Sequence, residues 1–91
     1  MLIAGKKFRG VRIENLHLGI TEENIFEFFA LNEIKAEKVE ILVEEISRSS
    51  KGVAFVKFPT HEFAVRAMET TGTFIFGQQI SVFADDTLLL S

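Results

Sequence analysis

Apolar and charged residues alternate at Val11-Arg12-Ile13-Glu14, the period-two pattern of a strand with one buried face and one wet face. A loop over 15–20, containing Gly19, interrupts the pattern. Thr21 then offers a side-chain oxygen to the first free amides of a helix, and Glu22 and Glu23 complement the positive end of its dipole. Ile25, Phe28 and Phe29 fall at i, i+3 and i+4, which predicts one apolar face on a helix running to about Leu31; Phe26 lies off that stripe. Period two returns over 38–44, with Val39, Ile41 and Val43 on one face and Glu40, Leu42 and Glu44 on the other. The polar loop Ser47-Arg48-Ser49-Ser50 separates this strand from a third, K-G-V-A-F-V-K-F at 51–58. Pro59 ends the third strand because it cannot donate to a ladder. Thr60 caps a second helix, on which Ala64, Ala67 and Met68 point inward. Gly72 and Gly77 flank a turn or short hairpin holding Phe74 and Phe76. A last strand over 79–84 sends Ile80 and Val82 inward and Phe83 outward.

The order is βαββαβ. It predicts an α+β, ferredoxin-like sandwich: a four-stranded antiparallel sheet with both helices on one face, the other face left for a ligand. Along the third strand, period two turns Gly52, Ala54, Val56 and Phe58 towards the helices, and Lys51, Val53, Phe55 and Lys57 outward. Small residues at 52 and 54 are expected to let the helices sit close.

Composition narrows the function. The chain has 91 residues, 47% of them hydrophobic, which suits one domain with a modest core and excludes disorder. It reads as a basic N-terminal arm at 1–8, a folded unit at 9–84, and a C-terminal tail at 85–91 able to pack on the sheet. All ten aromatics are Phe. The absence of Cys removes disulfides and thiolate chemistry and suits an intracellular protein. Apolar runs at the two ends are too short for a signal-peptide core or a membrane span. The net charge of −3 argues against a strongly basic nucleic-acid binder, yet Lys6, Lys7, Arg9 and Arg12 precede Ile13 with no acid among them. His17 and His61 have no second ligand at metal spacing and read as plain surface residues. No Ser-His-Asp order, paired-carboxylate pattern or glycine-rich phosphate loop is present, so neither catalysis, cofactor nor metal is expected.

With the order in place, 51–58 resembles the octamer of the RNA recognition motif (RRM) family, [K/R]-G-[F/Y]-[G/A]-[F/Y]-V-x-[F/Y]. Lys51, Gly52, Ala54, Phe55, Val56 and Phe58 match, and Val53 stands where an aromatic is usual. The companion hexamer, apolar-aromatic-apolar-x-N-L, is met by Val11-Arg12-Ile13-Glu14-Asn15-Leu16 except at Arg12. The resemblance implies a module of an RNA-processing protein, nuclear rather than cytoplasmic, that stacks single-stranded RNA on its sheet. Of three stacking positions in the family, this chain keeps Phe55. Arg12 can substitute by laying its guanidinium plane on a base, and Val53 offers apolar contact. Lys51 and Lys57 would meet phosphates, and Lys6, Lys7 and Arg9 would extend the track. Glu14, Glu40 and Glu44 would oppose a phosphate backbone, so weak binding is expected.

The motifs are also similar to those of the quasi-RRMs of the heterogeneous nuclear ribonucleoprotein F/H type. The positions matching their G-tract contacts are Glu14, Leu18 and Gln78-Gln79, which carries over the architecture and not the specificity. Another RRM subgroup binds peptides through an acidic first helix and an Arg-x-Phe after the second; Glu22, Glu23 and Glu27 supply acids, but Thr73-Phe74-Ile75 lacks the Arg. An alternative function stays open. Phe83, Leu42 and Val53 would form an apolar patch beside Phe55, and such patches meet a protein partner, a second copy of the chain, or the chain's own tail. Arg12, Lys51 and Lys57 could equally pair with neighbouring glutamates.

Overall fold

The computed structural model describes residues 7–43 and 50–85, without the side chains of Ser50 and Lys51. Lys6, the loop with Ser47, Arg48 and Ser49, the acids Glu44 and Glu45, and the tail from 86 lie outside the described residues. The elements run β1 (Gly10–Glu14), α1 (Glu22–Leu31), β2 (Lys38–Val43), β3 (Ser50–Lys57), α2 (His61–Met68), β4 (Phe74–Ile75), β5 (Gln78–Gln79) and β6 (Ser81–Ala84). β2, β3, β1 and β6 form one antiparallel sheet in that lateral order, and β4–β5 is a separate hairpin.

Both helices pack on one face of the sheet. Val11, Ile13, Val39, Ala54, Val56 and Val82 are buried there against Ile25 and Phe29 of α1 and Ala64 and Ala67 of α2. Phe29 and Phe58 meet edge to face, with ring centroids 5.3 Å apart. Each large apolar side chain so buried contributes about 1.5–3 kcal/mol. Phe28 and Met68 pack at the margin of this core.

The helix ends are specified locally. At α1, Thr21 Oγ1 accepts from the Asn24 amide at 3.1 Å, and Asn24 Oδ1 accepts from the Thr21 amide at 2.9 Å, a reciprocal capping box. Its C-terminus closes as a Schellman motif: the Ile34 amide donates to the Phe29 carbonyl at 2.8 Å and the Glu33 amide to the Ala30 carbonyl at 2.9 Å. Glu33 sits at φ 60°, the position that usually favours glycine. From α2, Arg66 spans the gap, its two Nη groups donating to the carbonyls of Asn32 and Glu33 at 3.0 Å each. A cation thus meets the negative end of a helix whose own last turn carries no basic residue.

Four details depart from the sequence reading. Val43 is 46% exposed, because the β2–β3 register shifts between Ile41 and Val43 and the alternation fails there. The last strand divides at Ile80: β5 pairs with β4, and β6 pairs with β1. Buried Ile80 forms the joint, its amide donating to the Thr73 carbonyl at 2.9 Å. Gly52 is demanded by the loop after β1 rather than by the helices. Its φ is +76°, and an added Cβ would stand 3.0 Å from the Leu16 carbonyl oxygen. Finally, His61 is a structural contact. Its Nδ1 lies 2.7 Å from the Phe8 carbonyl, which only accepts, so Nδ1–H is the donor. The His61 ring also meets Phe8 edge to face at 4.8 Å, and Phe8 packs against the core.

Candidate nucleic-acid interface

Strand register places four side chains in one row across the exposed face of the sheet. Arg12 on β1 pairs with Phe55 on β3 and with Phe83 on β6, while Phe55 pairs with Glu40 on β2. The row therefore reads Glu40, Phe55, Arg12, Phe83. Two rings flank a guanidinium, and an acid closes the β2 edge. Phe55 is partly exposed, and Phe83 is 41% exposed.

Arg12 is held in two ways. Its Cζ lies 5.0 Å from the centre of the Phe83 ring, a cation–π arrangement, and its Nε donates to Glu14 Oε2 at 2.7 Å. At this exposure the ion pair is worth about 0–1 kcal/mol, too little to bind Arg12 irreversibly and enough to bias where it points. The Arg12 side chain remains 37% exposed, and part of its charge is already answered.

Lys57 has a similar restraint. Its Nζ is 3.9 Å from Glu37 Oε2, and the Glu37 amide donates to the Lys57 carbonyl at 2.7 Å. Glu37 was invisible to motif reasoning, since it precedes β2 and matches no pattern. Val53 is partly exposed on the same face, and Leu42 is 39% exposed on β2. Lys51 lies in β3, but its side chain is outside the described residues. Lys7 and Arg9 are exposed at the start of the described chain, and the Arg9 carbonyl accepts from the Phe58 amide at 2.8 Å, extending the β1–β3 pairing by a step.

At the opposite end of β1, the loop clasps the small hairpin. Asn15 Nδ2 donates to the Gln79 carbonyl at 2.7 Å, and Gln78 Nε2 donates to the Asn15 carbonyl at 3.0 Å. Gln79 Nε2 donates to the Gly72 carbonyl at 3.1 Å. His17 accepts from the Gly19 amide at 2.9 Å and meets Phe76 edge to face at 5.9 Å. The two glutamine amides thus hold loops in place, while Leu18 stands 63% exposed close to Gly52.

A second apolar surface lies away from the sheet face. Leu31, Phe74 and Phe76 are exposed, and with Phe28 and Glu27 they line a shallow groove between α1 and the β4–β5 hairpin. The two-residue hairpin loop, Phe76-Gly77, has positive φ at both positions, which puts Phe76 at the tip. Among the described residues, no group of three or more His, Cys, Asp or Glu could hold a metal ion, and no helix is long and apolar enough to cross a membrane.

Sequence and fold comparisons agree on one class. Residues 11–81 match the family model of the RNA recognition motif, so the chain belongs to that family. Among solved structures it is similar to one described as the RNA15 RRM, with a TM-score of 0.82 at 17% identity, covering 93% of this chain and 98% of that one. It is also similar to a structure described as the Rna15 RRM with bound RNA (GU), with a TM-score of 0.75 at 18% identity, covering 88% of this chain and 85% of that one. At these identities the likeness establishes the fold. No curated protein sequence matches the chain.

Proposed function

We propose that this domain is a single-stranded RNA-binding module of an RNA-processing protein, and that it binds weakly on the exposed face of its sheet. The observation that carries the reading is the row Phe55, Arg12, Phe83, three planar groups in register across adjoining strands. Phe55 stacks on one base, at about 1–3 kcal/mol, with little regard to sequence. Arg12 supplies a second plane in the place where the family has an aromatic. Lys51 and Lys57, with Lys6, Lys7 and Arg9, neutralise the backbone. Restraint of Arg12 by Glu14 and of Lys57 by Glu37, with Glu40 at the row's end, keeps the affinity low. Membership of the family and the RNA-bound neighbour support this reading.

An NMR titration with a mixed pool of short single-stranded RNAs tests it. Salt-sensitive shifts at Phe55, Arg12 and Lys57 that vanish in Phe55→Ala are the expected result. A spectrum unmoved at high RNA concentration would sink sheet stacking. That outcome would favour the second reading, an RRM whose sheet face meets a protein partner, its own tail or a second copy. The exposure of Phe83 and Leu42 on one face supports this alternative.

A further inference from the structure

Glu14 sits on the ligand face of β1, two residues from Arg12 and so diagonal to Phe55, at a distance that a stacked base can span. A carboxylate offers acceptors only, whereas a guanidinium offers donors only. In this protein the two are side by side: Glu14 Oε2 accepts from Arg12 Nε at 2.7 Å, and their side chains remain 42% and 37% exposed. A base resting on Phe55 would present its edge to this joined acceptor–donor surface.

We infer that Glu14 and Arg12 together read the edge of the base on Phe55 and select guanine; the inference rests on the sheet-binding reading above. The base edges decide it. Guanine carries two neighbouring donors, N1–H and the N2 amine, next to the O6 acceptor. The donors match the two oxygens of Glu14, and O6 matches a free Nη–H of Arg12. Adenine and cytosine each set one donor amine beside a ring-nitrogen acceptor, which would face a carboxylate oxygen. Uracil sets its single donor between two carbonyls and meets the same repulsion. The carboxylate that weakens general backbone binding thus rejects the wrong bases. The contacts with Phe83 and Glu14 restrain Arg12 beside that edge.

The test is fluorescence anisotropy with labelled heptamers, uridine throughout except at the centre, which is guanine, adenine, cytosine, uracil or inosine. The guanine heptamer should bind tightest, by roughly tenfold. Inosine lacks the N2 amine and should lose most of that margin. Glu14→Gln, a surface change that leaves the core untouched, should bring the five within about twofold and leave the all-uridine oligomer bound at least as tightly. A guanine preference that survives Glu14→Gln, or equal binding of all five by the unaltered protein, overturns this inference. If affinity still depends on Phe55, the sheet reading then stands without it. Affinity unchanged by Phe55→Ala, or no binding of any heptamer, overturns both.

Discussion

Arg12 lies over Phe83, its Cζ 5.0 Å from the ring centre, while Glu14 holds its Nε at 2.7 Å. The contact joins strands whose pairing residues lie some seventy positions apart in the chain, and it sets a planar cation over an aromatic ring. That flatness is what a lysine could not reproduce.

Arg12→Lys should therefore retain the charge and lose the plane. RNA affinity is expected to fall several-fold, with thermal stability nearly unchanged, because an exposed cation–π contact contributes about 0.5–1 kcal/mol. Anisotropy titrations beside a thermal melt check this. Affinity fully preserved in the lysine variant would mean that Arg12 acts through charge alone.

Salt dependence should be shallow. Arg12 and Lys57 each face a glutamate, which leaves less of their charge to displace counterions. If the sheet neutralises about two phosphates, its share of the slope of log K against log salt is about −1.4 for a single strand. Glu37→Gln should free Lys57 and steepen the slope. A slope several-fold steeper in the unaltered protein would place the dominant contacts off the sheet.

Gly52→Ala tests the backbone under the octamer. The residue holds φ +76°, and the new methyl would stand 3.0 Å from the Leu16 carbonyl, whose own amide donates to Gly52 O at 2.9 Å. Strain of this kind costs about 1–3 kcal/mol. A fall in melting temperature of roughly 4–8 °C per kcal/mol is expected for a domain this size.

The end of α1 supplies opposing tests. Glu33→Gly removes the Cβ penalty at φ 60° and should raise stability by about 0.5–1 kcal/mol, the entropy of the freer unfolded chain offsetting part of the gain. Arg66→Gln withdraws the paired donors from the Asn32 and Glu33 carbonyls and should cost about 0.5–1.5 kcal/mol. Urea unfolding of both variants reads the two signs directly.

The sequence by itself determined the element order, the caps at Thr21 and Thr60, the stop at Pro59, and the inward set Ala54, Val56, Phe58, Ile80 and Val82. These follow from short-range rules: a two-residue pleat, a helical repeat, and hydroxyls that satisfy nearby amides. It also placed Phe55, Arg12 and Phe83 on the outer face, since the pleat decides sides. Period two broke down at Val43, where a change of register overrode the alternation. Tertiary structure alone decided which of the outward residues are neighbours. Lateral strand order sets β6 beside β1 and β3 on its other side, and only that order brings Arg12 onto Phe83 and next to Phe55. The same applies to Lys57 with Glu37, to His61 with Phe8, and to the close approach of Leu16 that makes Gly52 obligatory. Side-chain partnership depends on distances between segments far apart in the chain, and a local pattern carries no record of those distances.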